Sequence, residues 1–177
     1  MGRPSSRELV LDAYESLLIE QGPTAVTLDA VAARAKVSKG GLLYHFGSKE
    51  ALLDGLLDRV LRLTAADIEC ARTAPEGAVR YYLLSSVSDA SMDNPAHRAT
   101  MAALRLLGTE PRVNRTMIKV GRMWTELLTE YVEDPLTAEV VGLLGDGLYL
   151  RASLGDEVGG ALLRRVMSVV SRETGEA

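Results

Sequence analysis

The sequence predicts an all-α protein of nine helices, with three short helices in front and a larger helical bundle behind. Leu and Ala are abundant, while aromatics make up only 5% of the 177 residues. That balance favours helices over β-branched, aromatic-rich strands. Apolar residues recur at i, i+3 and i+4 between helix-stop signals, and no stretch alternates with period two between turns. The expected organisation is a three-helix module in residues 1–47 and a larger helical bundle in residues 48–177.

The elements follow in order. SSRELVLDAYESLLIEQG carries Leu9, Val10, Ala13, Tyr14, Leu17 and Leu18 on one stripe. Ser5 or Ser6 caps its start, and Gly22-Pro23 stops it. Thr27 caps a second helix that buries Leu28, Val31 and Ala32 and ends near Ala35, with Asp29 in its first turn. After the short connection KVS, Ser38 caps a helix over 39–46 that buries Leu42 and Phe46. Gly47 breaks it. Ser48 then caps a long helix whose stripe is Leu52, Leu53, Leu56, Leu57, Val60 and Leu61. Beyond Pro75 the pattern predicts helices over 76–92, 95–107, 110–133, 135–154 and 157–173, divided by Asn94-Pro95, Asp134-Pro135 and Gly155-Asp156.

Composition excludes several classes of function. No apolar run approaches the roughly 18 residues of a membrane span, and MGRPSSRELV has no apolar segment of the secretory type. A single cysteine, Cys70, forbids an internal disulfide, which fits a reducing cytoplasm. Two His and one Cys leave little for a metal site. His45 has no positioned carboxylate or nucleophile in its motif, and Ser38 and Ser48 are explained as caps, so no catalytic constellation is expected. Net charge is −4, but residues 1–49 carry six cations against five anions, and four of those cations fall within 34–49. Only local clustering of this kind can build a phosphate-facing surface here.

VSKGGLLYHFGSKEAL, residues 37–52, holds two adjacent glycines at a helix start, where each costs about 1 kcal/mol relative to alanine. Short helix, tight turn and short helix behind a supporting helix is the helix-turn-helix plan, whose second helix enters the major groove N-terminus first. There, Gly40 and Gly41 let the backbone approach bases or phosphates closely. Lys39 is the long donor able to reach guanine O6 and N7. Tyr44 and His45 can donate to phosphates, and Lys49 stands in the first turn of the next helix. Gly2-Arg3-Pro4 is read either as an arm in the adjacent minor groove, placing Arg3 on DNA, or as an unstructured terminus.

TLDAVAARAKVSKGGLLYHFGSKEALL, residues 27–53, resembles the DNA-binding domain of the TetR/AcrR family of bacterial repressors. GLLGDGLYLRASLG, residues 142–155, is similar to the family's penultimate helix. The resemblance implies phosphate contacts from Thr27, Ser38, Tyr44, His45 and Lys49, and base reading at Lys39, Gly40 and Gly41. Two positions depart from the family pattern. Leu43 replaces a Tyr, removing one phosphate contact. Lys36 replaces the Gly of the turn, so the turn is either looser or Lys36 accepts a positive φ.

A single helix-turn-helix contacts few bases, so two copies are expected to read a pseudo-palindromic double-stranded operator. Leu143, Leu144, Gly147, Leu148, Leu154, Leu162, Leu163, Val166, Met167 and Val170 are expected to pair two copies through the last two helices. Gly142, Gly145 and Gly147 either permit close helix approach or locally weaken that helix. Tyr82, Met92, Met101, Met117, Trp124 and Tyr149 are expected to line an adaptable apolar pocket, although core filling is the default for any single Met. Asp146, flanked by glycines, selects cationic, lipophilic effectors if it faces that pocket. The resemblance thus implies a homodimeric, effector-released transcriptional repressor without cofactor. The competing reading is a helical protein that keeps the fold but binds a protein partner.

Overall fold

Caps and prolines set the helix starts. In the computed structural model, which describes residues 5–174, the helices are α1 (Ser6–Gln21), α2 (Leu28–Ala35), α3 (Lys39–His45), α4 (Lys49–Arg72) and α5 (Ala78–Ser88). They continue as α6 (Pro95–Leu104), α7 (Pro111–Tyr131), α8 (Pro135–Ser153) and α9 (Gly160–Thr174). A 3-10 turn covers Pro23–Ala25, and the described residues contain no strand. Side-chain oxygens of Ser5, Thr27, Ser38, Ser48 and Asp134 accept from the free N–H groups at the starts of α1, α2, α3, α4 and α8. Pro95, Pro111 and Pro135 open three helices where a missing N–H costs nothing. α5 starts later than the pattern predicts because Gly77 sits at φ 90°, outside helical geometry. Lys36 caps α2 in the left-handed region at φ 55°, ψ 40°, and its N–H bonds Ala32 and Ala33 carbonyls. The turn therefore keeps its usual geometry, and the lysine takes the strained conformation.

The chain forms two compact units. One contains residues up to Arg62 together with Arg98–Thr116; the other contains Leu63–His97 and the residues from Met117 onward.

In the first unit α1 is central, packed by α2 and α3. It is buried beyond its predicted stripe, with Leu11 and Glu15 nearly inaccessible as well as Val10 and Leu18. Glu15 survives there because Arg59 Nη1 donates to it at 2.7 Å and Arg98 Nε lies at 3.4 Å. Arg59 also reaches Glu8 and Asp12, each at 2.7 Å. Burial lifts the Glu15 carboxyl above its ordinary pKa, an effect the Arg59 and Arg98 charges oppose. α3 is anchored by Leu42 and by Phe46, which sits against Gly55 of α4. A Cβ at Gly55 would meet the Phe46 ring at 2.6 Å and Leu11 at 3.2 Å.

In the second unit Val79, Tyr82 and Leu83 of α5 pack with Leu128 and Val132 near the end of α7. Ala138, Val141 and Leu148 of α8 and Met167 and Val170 of α9 complete this core. Gly145 admits the Tyr82 phenol, two ring carbons and the hydroxyl oxygen of which lie within 2.6 Å of where a Cβ would stand. No helix of the described residues is long and apolar enough to cross a membrane.

Candidate nucleic-acid interface and effector groove

The first unit presents the start of α3 to solvent. Lys39 and Gly40 are exposed and Gly41 is half-buried. Among the described residues nothing lies within 4 Å of a Cβ built on Gly40, and the corresponding contact at Gly41 is the Ser38 cap oxygen at 3.2 Å. The start of α3 is therefore bare at Gly40, where no other described residue comes close, and Lys39 is its one long side chain. Tyr44 is 86% exposed, the largest exposure among the big apolar side chains, with its ring edge-on to His45 at 5.1 Å. A buried tyrosine would be a packing residue; this one is available to a phosphate. Thr27 and Ser38 each accept a backbone N–H through the hydroxyl oxygen, at 3.0 Å. Their hydroxyl protons remain free to donate to phosphate. Lys49 is exposed at the first position of α4, beside capped N–H groups. Arg3 lies outside the described residues.

The cations of this surface differ in their partners. Arg34 is paired with Glu20, and Lys39 Nζ sits 2.9 Å from Asp29 Oδ1. Lys36 and Lys49 form no ion pair among the described residues. By sequence Asp29 is only a helix-dipole residue; its pairing with Lys39 across the turn arises when α2 and α3 pack.

The second unit carries a groove of about 440 Å³ between α5, α7 and α8. Three of the residues proposed from sequence for a pocket, Tyr82, Trp124 and Asp146, line it with Arg122, Thr125, Glu126, Thr129, Glu139 and Leu143. The Tyr82 and Trp124 rings meet at 5.0 Å. The Tyr82 hydroxyl donates to the Gly142 carbonyl at 3.1 Å and lies 3.4 Å from Asp146 Oδ1. Desolvation lifts the Asp146 carboxyl above its ordinary pKa, and the Tyr82 bond opposes that lift. The Asp146 residue as a whole is nonetheless exposed, so it forms the rim of an open groove and not a buried counter-charge.

The other expected pocket residues are elsewhere. Met92 is exposed in the turn after α5, and Met101 belongs to the first unit. Met117 is half-buried on α7, away from the groove wall. Tyr149 turns instead to His97, whose Nδ1 is 2.8 Å from its hydroxyl. Burial holds that histidine below its ordinary pKa. Methionine at helical spacing here is core or surface.

The expected pairing surface needs a similar correction. Leu148, Met167 and Val170 are buried in their own chain's core, with Leu144, Leu163 and Val166 packed against it. Of the ten positions expected to pair, Leu143, Gly147, Leu154 and Leu162 are the exposed ones. α8 is apolar on two opposite faces. Ala138, Val141, Gly145 and Leu148 face inward, while Leu136, Val140, Leu143, Leu150 and the flanking Leu154 face out. The outward set, with Gly147, recurs at alternating spacings of four and three, a continuous stripe along one side of the helix.

Residues 10–56 match the model of the bacterial regulatory proteins, tetR family. The chain is 28% identical to the HTH-type transcriptional regulator BetI of Burkholderia thailandensis, over 86% of this chain and 84% of BetI. Its fold is similar to that of a TetR-family member from Streptomyces coelicolor A3, with TM-score 0.72 and 20% identity, covering 94% of this chain and 98% of the other. It is also similar to the multidrug binding protein EbrR complexed with malachite green, with TM-score 0.68 and 21% identity, covering 97% and 99%.

Proposed function

We propose, for a chain that belongs to the TetR family of DNA-binding transcriptional regulators, that it is a homodimeric repressor released from a pseudo-palindromic operator by a small effector. The observation that carries this reading is the bare, exposed start of α3 between capped helix ends, with Tyr44 and Lys49 free to take phosphates. Residues 1–47, joined by Lys49 at the start of α4, supply the DNA contacts, with α3 in the major groove, and residues 48–177 otherwise supply effector binding and pairing.

The α8 stripe suits a second copy. In an antiparallel pairing centred on Gly145, Leu136 faces Leu154, Val140 faces Leu150, and Leu143 faces the gap at Gly147 of the other copy. Self-complementarity of this kind is what an isologous two-fold interface requires. The α5–α7–α8 groove is the effector site. Its Tyr82 and Trp124 rings and the carboxylates Glu126, Glu139 and Asp146, against the single cation Arg122, favour a flat, lipophilic cation. The malachite green held by EbrR supports that class of ligand. Effector binding favours the conformer in which two recognition helices no longer match successive grooves. α4, unbroken from Lys49 to Arg72, transmits the change. The protein works in the cytoplasm.

Gel shifts with DNA from upstream of its own gene test the reading. A retarded complex should form, and Lys49→Ala should weaken it for all sequences while reducing the salt slope by about 0.9. Malachite green should release the DNA. Dye that binds the protein yet leaves operator affinity unchanged at fixed salt would sink the release mechanism.

A further inference from the structure

The structure assigns Asp29 a role in reading DNA sequence: it is a positioning residue that acts through Lys39, steering that side chain toward a base edge and away from phosphates. The inference rests on α3 being the recognition helix.

Both Asp29 oxygens engage the lysine, Oδ1 at 2.9 Å and Oδ2 at 3.1 Å from Nζ. The two side chains are largely solvent-exposed, 56% for Lys39 and 71% for Asp29. An exposed pair of this kind adds little to stability, so the fold has little use for it. Its position matters more. Gly40 and Gly41 offer no side chains, which leaves Lys39 as the only long donor in the first three residues of α3. A lysine ammonium is a point charge on a flexible stem with three rotatable donors. Unrestrained, it would settle on phosphate oxygens, which add affinity without sequence information.

Asp29 limits that freedom. It is fixed in the first turn of α2, behind the Thr27 cap, where the helix N-terminus favours a carboxylate. From there it occupies one side of the ammonium and repels phosphate itself. The donors that remain are left for acceptors on a base edge, of which guanine O6 and N7 are the usual partners of lysine.

The test uses the full-length protein as wild type, Asp29→Asn, Asp29→Glu, Lys39→Ala and the Asp29→Asn/Lys39→Ala double variant. Each is used to select duplexes from a randomised library, and each is titrated with one fixed random-sequence duplex over a range of salt. Asp29→Asn should lose preference at the same base position as Lys39→Ala. Its binding to random duplex should tighten, with a salt slope steeper by about 0.9 as the freed lysine takes a phosphate. Asp29→Glu should restore the preference, and in the Lys39→Ala background Asp29→Asn should change neither the base preference nor the salt slope. A merely structural Asp29 would instead weaken binding to all sequences alike and lower the melting temperature; that result overturns the proposal. So does an Asp29→Asn variant with wild-type preference and salt slope. A wild-type protein that enriches no sequence overturns the recognition-helix reading itself, and is distinguished from these by failing before any variant is compared.

Discussion

Gly40 at the start of α3 and Gly145 in α8 are both helical glycines, and the surroundings give them opposite purposes. A Cβ at Gly40 would meet no described residue within 4 Å, whereas one at Gly145 would stand 2.3 Å from the Tyr82 ring. The first is space kept open on the outside of the molecule; the second is space already filled by its own chain. A glycine that weakens a helix without any internal contact to show for it points to something external that must come close. One pressed against a buried aromatic points to packing, and Gly55 under Phe46 is of this second kind.

Alanine substitutions break or sharpen this contrast. The largest effect is expected for Gly145→Ala. Tyr82 is buried and hydrogen-bonded to the Gly142 carbonyl, so its ring cannot easily move aside. Overpacking, less the helix-propensity gain of alanine, should cost about 2 kcal/mol. Thermal denaturation should then show a melting temperature lower by about 4–8 °C. An unchanged melting temperature would mean that α5 and α8 are not held together as described.

Gly40→Ala should do the reverse. Relief of the glycine penalty should stabilise the protein by about 0.5–1 kcal/mol, read as a small rise in melting temperature, while operator affinity falls. Stabilisation with DNA binding intact would show that nothing approaches the backbone there.

The smallest effect concerns Asp146. Its carboxyl titrates above the ordinary Asp value, so the native state binds that proton more tightly than the unfolded chain. Its contribution to stability is therefore present at low pH and lost as pH rises from the unfolded pKa through the folded one. Affinity for a lipophilic cation runs the other way, falling as acid neutralises the carboxylate. In calorimetric titrations with malachite green, that acid limb should shrink in Asp146→Asn, and the same limb in both proteins would remove Asp146 from the effector site.

Much of the first unit was legible in the sequence because its signals are local. Thr27, Ser38 and Ser48 are caps whose partners lie three residues on, whereas the sequence left the turn at Lys36 open between a looser path and the positive φ that the structure has. The sites of the second unit were less legible. Which side of α8 meets its own core and which is left outward depends on α5, α7 and α9, and both sides carry apolar residues. Leu148 and Leu150 therefore looked alike, although one is 5% exposed and the other 60%.

By itself, the sequence determined the all-α class, the helix order, the caps and the residues at the tip of α3, because period and capping depend on neighbours within a few positions. Tertiary structure decided that Glu15 is buried between Arg59 and Arg98, that Asp29 holds Lys39, that Tyr82 rather than the methionines walls the groove, and that Gly145 serves an intrachain contact. Each of these joins side chains on different helices. A charge, a ring or a glycine specifies what partner it tolerates, but which partner arrives is settled only when the helices pack.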